Sequence, residues 1–226
     1  MSRMFKTITK TWNVFTGCKF DCTYCWVDEL LKGRLGTSSK YKEIGKAPTF
    51  HPSELNKKFK PSDFIFVAAM GDLTFCPSPQ LEEILIIIKN NPEVDFLIQT
   101  KGVKLFQRIG IIWPRNVYHG ITIETNRDTS AFSKAPAPFR RFEEIVSDRH
   151  PRKFISVEPI MDFDMWFIGW IINIMPEIVE IGADNYHHNL PEPSWDKVVS
   201  LMSVLRDAGI KVVEKEGLER LQNSIR

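Results

Sequence analysis

Three cysteines lie within eight positions in the segment "GCKFDCTYCW", and they are the residues of this chain best suited to chemistry. Three residues separate Cys18 from Cys22, and two separate Cys22 from Cys25. Thiolates this close in sequence can bind one polynuclear metal centre, because Gly17 and Asp21 permit tight backbone turns. A four-ligand centre held by three cysteines keeps one coordination position open, and an open position is where chemistry takes place.

The rest of the sequence favours a metal over disulfides. Cys76 is the only other cysteine, and it is distant from the three. The N-terminal "MSRMFKTITKTW" lacks the apolar run of a signal peptide. The sequence also contains no run of about 18 apolar residues, the length that a membrane-spanning helix needs. We therefore expect a cytoplasmic protein, where clustered cysteines bind metals or catalyse reactions more often than they form disulfides.

Apolar runs of strand length alternate with helical patterns along the chain. The run "DFIFVAAM" precedes "SPQLEEILIIIKNN", whose Pro79 and apolar spacing predict a helix that Ser78 caps. Further strand-like runs are "DFLIQT", "VYHGITIE", "KFISVEP", "EIVEIGA" and "IKVVEKE", and "TITKTWNVF" should hold an earlier one. Strands that alternate with helices pair in parallel through right-handed crossovers, and nearly continuous apolar runs indicate a sheet covered on both faces.

Polar residues stand at the carboxyl ends of these runs. They are Asp72, Thr100, Lys101, Glu124, Glu158, Asp184 and Lys215. No G-x-G-x-x-G turn follows any strand, which weakens a dinucleotide-binding open sheet. In a barrel, by contrast, the strand ends converge on one mouth where active sites assemble. The sequence thus predicts an α/β fold, a partial (β/α)6-type TIM barrel with parallel strands, as a single domain over residues 1–226.

The cysteine spacing after the first strand, Tyr24 directly before the last cysteine, and the repeated β/α units resemble the radical S-adenosylmethionine (SAM) superfamily. The resemblance implies a [4Fe–4S] cluster on Cys18, Cys22 and Cys25, with the fourth iron bound by the amino and carboxylate groups of SAM. One electron from the cluster would then cleave SAM to methionine and a 5′-deoxyadenosyl radical, which abstracts hydrogen from a substrate. A flavodoxin or ferredoxin is the expected kind of electron donor.

The same resemblance suggests where SAM binds. It implies that the methionine amine meets the end of the second strand, where Met70, Gly71 and Asp72 offer acceptors. The other candidates stand at neighbouring strand ends or beside the cysteines, with polar groups for the ribose or small and aromatic residues for adenine: Thr122, Glu124, Ser156, Glu158, Gly182, Ala183 and Tyr24.

Within the superfamily, several segments are similar to a family common in phage and bacterial genomes. They are "TWNVFTGC", "FIFVAAMGDLTF", "WPRNVYHGITIE", "RKFISVEPI" and "VVEKEG". The chain departs from that family in "IGADNYHH", where the family has a Gly-Gly-Glu-like turn. More distantly the chain resembles the spore photoproduct lyases, which repair a thymine dimer, and this suggests that Cys76 donates hydrogen to a product radical. Tyr186 is a candidate substrate contact, and Lys215 a candidate partner for a substrate anion.

Two other classes of protein fit part of the pattern. The three cysteines with His51, His187 or His188 could bind structural zinc in a nucleic-acid-binding module without catalysis, although no second ligand knuckle is present. The "CTYC" segment could serve a thioredoxin-like redox role, but that motif should open a helix without a third cysteine nearby. Neither alternative explains the polar residues at the strand ends.

Charge is unevenly distributed and bears on the substrate. Residues 1–60 hold twelve Lys and Arg but five Asp and Glu, a net of +7, although the whole chain carries only +2. Much of the excess falls in a loop insertion at about 31–62, which is either a solvated loop or a surface for phosphate. The expected substrate is a modified nucleobase in DNA or a nucleotide, in DNA modification or repair, with a small-molecule or peptide substrate as the other possibility.

Overall fold

The computed structural model describes residues 5–37 and 47–224, and β-strands and α-helices alternate over most of them. The strands are β1 (Lys10–Trp12), β2 (Phe15–Thr16), β3 (Thr49–Phe50), β4 (Phe64–Val67), β5 (Asp95–Thr100), β6 (Val117–Thr122), β7 (Lys153–Val157), β8 (Ile178–Ile181) and β9 (Lys211–Glu214). The α-helices are α1 (Trp26–Lys32), α2 (Ser78–Lys89), α3 (Pro138–Ser147), α4 (Trp166–Ile174) and α5 (Trp195–Asp207).

Seven of the strands form one parallel sheet in the order β1-β4-β5-β6-β7-β8-β9, and the sheet curls into an open half-barrel. The register pairs Phe64 with Asp95, Phe96 with Val117, and Phe154 with Ile178. The short strands β2 and β3 pair antiparallel apart from this sheet. The predicted partial barrel of parallel strands is therefore confirmed. Helix α2 begins at Ser78 itself, one residue earlier than a capping Ser78 would give.

Both faces of the sheet are covered, as the continuous apolar runs predict. On β4, Ile65 and Val67 pack in the large core under the helices, whereas Phe66 points into a smaller core on the concave side. Successive side chains of a strand point to opposite faces, so each run must be apolar at every position. Among the described residues, no helix is long and apolar enough to span a membrane.

The N-terminal segment fills the concave side of the half-barrel. Phe5 is 1% exposed, and its ring centre lies 5.1 Å from that of Phe66 and 5.3 Å from that of Phe154, both edge-on. The buried Glu180 carboxylate holds the segment by accepting from the Thr7 backbone N–H at 3.1 Å and from the Thr7 hydroxyl at 2.5 Å. These bonds satisfy a carboxylate that would be costly to bury without partners.

The chain between β3 and β4 covers the edge strand β1. The Trp12 indole N–H donates to the Glu54 carbonyl at 2.9 Å, and the Lys57 ammonium donates to the Thr11 carbonyl at 2.8 Å. Phe59 packs edge-on against Trp12, with ring centres 5.2 Å apart. This described part of the predicted 31–62 insertion thus lies along the side of the sheet, while residues 38–46 lie outside the described ranges.

Candidate active site at the mouth of the half-barrel

The carboxyl ends of the central strands surround a cavity of about 320 Å³. It brings together most of the residues that the sequence predicts for the site. Those lining it are Cys18, Cys22, Tyr24, Cys25, Met70, Gly71, Asp72, Thr122, Ser156, Glu158, Ala183, Tyr186 and Lys215. Three predicted residues, Cys76, Glu124 and Gly182, do not line the cavity as the described part of the chain forms it.

Two glycines bring the cysteine loop against the end of β4. The Gly17 N–H donates to the Met70 carbonyl at 2.9 Å, and the Asp72 N–H donates to the Gly17 carbonyl at 3.1 Å. Gly17 has a φ of 88°, and a Cβ there would lie 2.1 Å from the Ala47 carbonyl oxygen. A Cβ on Gly71 would lie 2.9 Å from the Thr16 backbone. A side chain at Gly71 would therefore push the end of β4 away from the cysteine loop, and one at Gly17 would clash with the segment before β3 and strain the positive φ.

The three thiols of the cysteine loop face the same cavity and are partly buried. The Ser133 hydroxyl lies 3.1 Å from the Cys22 sulfur, and Cys25 directly precedes α1. Burial, followed by the charge of Asp72, raises the pKa of the Cys18 thiol to about 12, and burial followed by Asp28 raises the pKa of Cys25. Thiolates in this place therefore need a cationic partner, and an iron–sulfur centre bound by cysteine thiolates fits that donor set.

The histidines considered as zinc ligands have other partners or positions. The His51 Nε2 lies 2.9 Å from the Thr16 hydroxyl, and the His188 Nδ1 lies 2.6 Å from an Asp184 carboxylate oxygen. His187 is exposed and does not line the cavity formed by the described residues. Within residues 5–37 and 47–224, no three His, Cys, Asp or Glu side chains are grouped so that they could hold one metal ion.

Tyr24 is fixed between two of the cysteines by a buried charge network. Its hydroxyl donates to Glu124 at 2.8 Å and accepts from the Lys101 ammonium at 3.1 Å. Glu124 is fully buried, forms an ion pair with Lys101, and accepts from the buried Arg141 guanidinium at 2.8 Å. Burial alone would raise the pKa of Glu124, but the charges of Arg141 and Lys101 hold it well below its usual range. Glu124 therefore supports the wall of the cavity from behind.

Asp72 uses its carboxylate to order two neighbouring strand ends. One oxygen accepts from the Thr74 N–H at 2.9 Å and from the Thr100 hydroxyl at 2.6 Å. The other accepts from the Lys101 N–H at 3.0 Å. Burial raises the pKa of Asp72, against the opposing effect of these hydrogen bonds. The Met70 carbonyl is also engaged, by the Gly17 N–H.

The opposite wall carries an ion pair between Glu158 and Lys215. Both side chains line the cavity, and the Lys215 ammonium also lies 4.2 Å from the centre of the Phe5 ring. Gly182 stands behind Glu158, because a Cβ at Gly182 would lie 2.6 Å from the Glu158 carboxylate. Thr122 accepts from the Gln99 amide at 2.8 Å and still lines the cavity, as does Ser156.

Cys76 lies away from the cavity, in the core beneath the turn that follows β4. It is 2% exposed, and its sulfur lies 3.6 Å from the Pro77 carbonyl oxygen. Burial raises the pKa of its thiol to about 12, although the Arg108 charge opposes this. The Arg108 guanidinium also donates to the Cys76 carbonyl at 2.6 Å. A catalytic role for this thiol has no geometric support in this conformation.

Several residues in or behind the cavity wall do not appear among the sites predicted from the sequence. Lys101 belongs to the strand-end group, and that position alone signals its place in the site. Arg141 lies on a helix, and its only sequence signal is an arginine inside an apolar pattern. His188 and Phe5 also line the cavity, and no local motif identifies either one.

The fold is similar to the folds of known proteins at low sequence identity. The structure is similar to a cysteine-to-alanine mutant of spore photoproduct lyase with dinucleoside spore photoproduct, with a TM-score of 0.59 and 11% identity over 91% of this chain and 76% of that one. A double mutant of spore photoproduct lyase, with bound AdoMet and the same dinucleoside, gives a TM-score of 0.59 at 10% identity. The match covers 94% of this chain and 78% of that one.

A radical SAM methyltransferase from Sphaerobacter thermophilus gives a TM-score of 0.50 at 13% identity, covering 96% of this chain and 70% of that one. No curated protein sequence matches the chain. These structural similarities establish that the chain shares the fold of radical SAM enzymes. A family model described as "Protein of unknown function (DUF5131)" matches residues 4–173. Because that match spans most of the chain, the protein belongs to the DUF5131 family.

Proposed function

We propose that this protein is a radical SAM enzyme that holds a [4Fe–4S] cluster on Cys18, Cys22 and Cys25. The observation that carries the proposal is the position of three thiols on one cavity, at the strand ends of a half-barrel with the radical SAM fold. Such a cluster supplies, when bound, the electron for reductive cleavage of SAM, which yields the 5′-deoxyadenosyl group that removes hydrogen from a substrate.

The chain's own residues position the reactants and exclude water. Gly17 and Gly71 let the cysteine loop rest on the end of β4, and Tyr24 fixes that loop through its bond to Glu124. We assign SAM to the wall between Met70–Asp72 and Glu158, where hydroxyl and carboxylate groups face the cavity. The apolar side chains of Phe5, Phe66, Ala69 and Leu30 also line it and keep water from the reacting atoms.

The proposed substrate is a nucleobase in DNA or a nucleotide, and the reaction would modify or repair it. One support is the dinucleoside bound in a structural relative of the same fold. Another is the pair of aromatic rings, Tyr24 and Tyr186, that line the cavity, where Lys101 and Lys215 are each already paired with a carboxylate. Aromatic surfaces suit the stacking of a base. The electron donor would be a flavodoxin or ferredoxin.

The first prediction is that anaerobically purified protein contains about four irons and four sulfides per chain. Changing any one of Cys18, Cys22 and Cys25 to alanine should abolish the cluster, because each removes one of three thiolate ligands. Iron and sulfide analysis with absorption spectra measures this, and with dithionite the wild type should form 5′-deoxyadenosine from SAM.

Cys76→Ala is the matched control, because it also removes one cysteine but leaves the cavity lining intact. It should retain iron and sulfide at the wild-type level. One equivalent of zinc with no iron after anaerobic reconstitution would contradict the proposed function. Loss of the cluster in Cys76→Ala, with retention in one of the other three variants, would show that the ligand assignment is wrong.

A further inference from the structure

His188 lines the cavity and has one ring nitrogen without a hydrogen-bond partner among the described residues. Its side chain is 13% exposed and lines the cavity on the loop after β8. Its Nε2 is buried and has no hydrogen-bond partner among the described residues. The nearest carboxylate is that of Glu29 on α1, whose Oε1 lies 3.6 Å away, which is too far for a hydrogen bond. A buried polar atom without a partner is costly, so a ligand atom that bonded to it would remove that cost.

Asp184 fixes the orientation of the His188 ring. One carboxylate oxygen lies 2.6 Å from the His188 Nδ1, and the other accepts from the His188 backbone N–H at 2.5 Å. Asp184 is 5% exposed and stands three residues after the end of β8. Both oxygens of one carboxylate therefore bind the same residue and leave its ring little freedom.

A second layer of contacts fixes Asp184. Its N–H donates to the Glu192 carboxylate at 3.1 Å, and its carbonyl accepts from the Arg220 guanidinium at 2.9 Å. Arg220 also donates to Glu192 at 2.8 Å. These bonds tie the loop to the C-terminal turn, so two separate segments of the chain set the position of His188.

The hydrogen-bond chemistry decides which ring nitrogen of His188 carries the proton. An ionised carboxylate only accepts, so the nitrogen beside Asp184 must be the donor. The neutral ring then carries its proton on Nδ1 and presents a lone pair on Nε2. On the far side the Glu29 oxygen nearest to Nε2 is already bound to the Lys32 ammonium at 2.7 Å, so that carboxylate has a cationic partner of its own.

We propose that His188 Nε2 accepts a hydrogen bond from an N–H or O–H group of the substrate, and that Asp184 is the positioning residue for it. The inference rests on the proposed function, because it assigns the cavity to a substrate. The chemical class is a neutral donor, such as the imide of a pyrimidine base or a sugar hydroxyl. A substrate that presented only acceptors at this point would leave Nε2 unpaired and bind less well.

The test begins with the tautomer of His188 in the cluster-loaded protein. Nitrogen-15 NMR of histidine-labelled protein distinguishes the two neutral forms, and His188→Phe assigns the signal because it removes the nitrogens but keeps a flat ring. The expected result is the form protonated on Nδ1, with that preference lost in Asp184→Asn. A wild-type ring protonated on Nε2 overturns the proposal.

The second step measures binding of thymidine and 3-methylthymidine, which lacks the imide N–H. We expect thymidine to move the Nε2 signal, and His188→Phe to weaken thymidine binding by about tenfold, as for one lost hydrogen bond. If only thymidine moves the Nε2 signal, the donor is the imide N–H of the base. If both nucleosides move it, the donor is a sugar hydroxyl. No response to either nucleoside overturns the proposal.

The matched control is His187→Asn, which removes the neighbouring exposed histidine. His187 has a φ of 58°, a conformation that asparagine tolerates well. This variant should retain the Nδ1 form of His188 and wild-type thymidine binding. Iron content and 5′-deoxyadenosine formation are measured on the same preparations. Protein without iron and without 5′-deoxyadenosine formation overturns the proposed function. Protein that has both but carries the His188 proton on Nε2 overturns only the role of His188.

Discussion

At the scale of single residues, the most consequential feature is a carboxylate that the cavity does not expose. Glu124 joins three segments, because it binds Tyr24 of the cysteine loop, Lys101 after β5 and Arg141 of α3. Charges buried in this way are stable only with their partners, and removing one partner leaves the others unpaired. The geometry of the cysteine loop therefore depends on a residue of a helix on the far side of the sheet.

The second prediction concerns Arg141. Arg141→Met should lower the free energy of unfolding by about 3–5 kcal/mol, because it leaves Glu124 without its buried guanidinium partner. Adding Glu124→Gln should restore part of the loss, since the neutral amide carries no unpaired charge. Chemical denaturation of the single and double variants measures both effects.

The neighbouring Arg140 provides the control for this measurement. Its side chain is 70% exposed and pairs with Glu143 at 3.0 Å on the surface of α3. Arg140→Met should change the free energy of unfolding by about 1 kcal/mol or less. Equal losses in the Arg140 and Arg141 variants would mean that the buried network does not stabilise the fold.

At the scale of elements, a histidine stack joins β6 to the loop that precedes β7. The His119 ring stacks on Phe106 at 4.0 Å and on His150 at 3.9 Å between ring centres. Its Nδ1 lies 2.6 Å from an Asp148 oxygen, while its buried Nε2 has no hydrogen-bond partner among the described residues. Burial lowers the pKa of His119 to about 4, although Asp148 opposes this, and the charges of His150 and Lys153 lower it further.

The third prediction follows from the sign of this shift. Between about pH 6.5 and pH 4 the unfolded chain binds a proton at His119 that the folded chain does not. Stability should therefore fall as the pH is lowered through that window, by about 1.4 kcal/mol for each pH unit from this group. Denaturation curves between pH 7 and pH 5 would measure the loss.

His119→Phe tests the assignment, because it preserves the ring stack and removes the titrating group. Its stability should depend less steeply on pH over the same window. His187→Asn removes one exposed histidine and should keep the wild-type dependence. A wild-type pH dependence in His119→Phe would assign the effect to other groups.

The segment between β3 and β4 explains why the connection from β1 to β4 has no long helix over its described residues. The chain after β3 packs Leu55 and Phe59 on the large core, and Trp12 bonds to Glu54. These contacts cover the outer side of β1, a task that helices perform for the later strands. The lysines at 57, 58 and 60 consequently stand on the flank of the sheet, and they do not line the cavity of the described residues.

At the scale of the whole molecule, the question is whether this basic flank contacts DNA while the cavity holds a base. Lys58 and Lys60 are exposed, and the first sixty residues carry a net charge of +7. Each phosphate contact on duplex DNA contributes about −0.9 to the slope of log affinity against log salt. A flank that binds phosphate therefore has a measurable signature.

The fourth prediction is that Lys58→Ala with Lys60→Ala flattens this slope by about 1.8, if each lysine contacts one phosphate. Fluorescence anisotropy over a salt series measures the slope, and the absorption spectrum of the cluster should not change. Lys89→Ala with Lys211→Ala removes the same charge from exposed positions elsewhere and should leave the slope unchanged. Equal slopes in the wild type and both double variants would mean that the 57–60 segment covers β1 and does not contact DNA.

Local patterns in the amino-acid sequence are enough to predict the fold class and the positions of the main strands along the chain. Short apolar runs rich in β-branched residues favour strands covered on both faces, and their alternation with helices favours parallel pairing. Since parallel strands end at one edge, the polar residues after them had to converge, and the cysteine spacing identified the loop that meets them. These features are local patterns, so one chain is enough to reveal them.

Which of these residues face the cavity, and what each one binds, depends on how the chain packs in three dimensions. Glu124 and Glu158 look alike in the sequence, yet one is buried behind the wall and the other lines it. Arg141, Phe5 and His188 join the site from distant segments, and Cys76 leaves it because its turn packs into the core. Their positions depend on the packing of side chains far apart in the sequence, which no local spacing encodes.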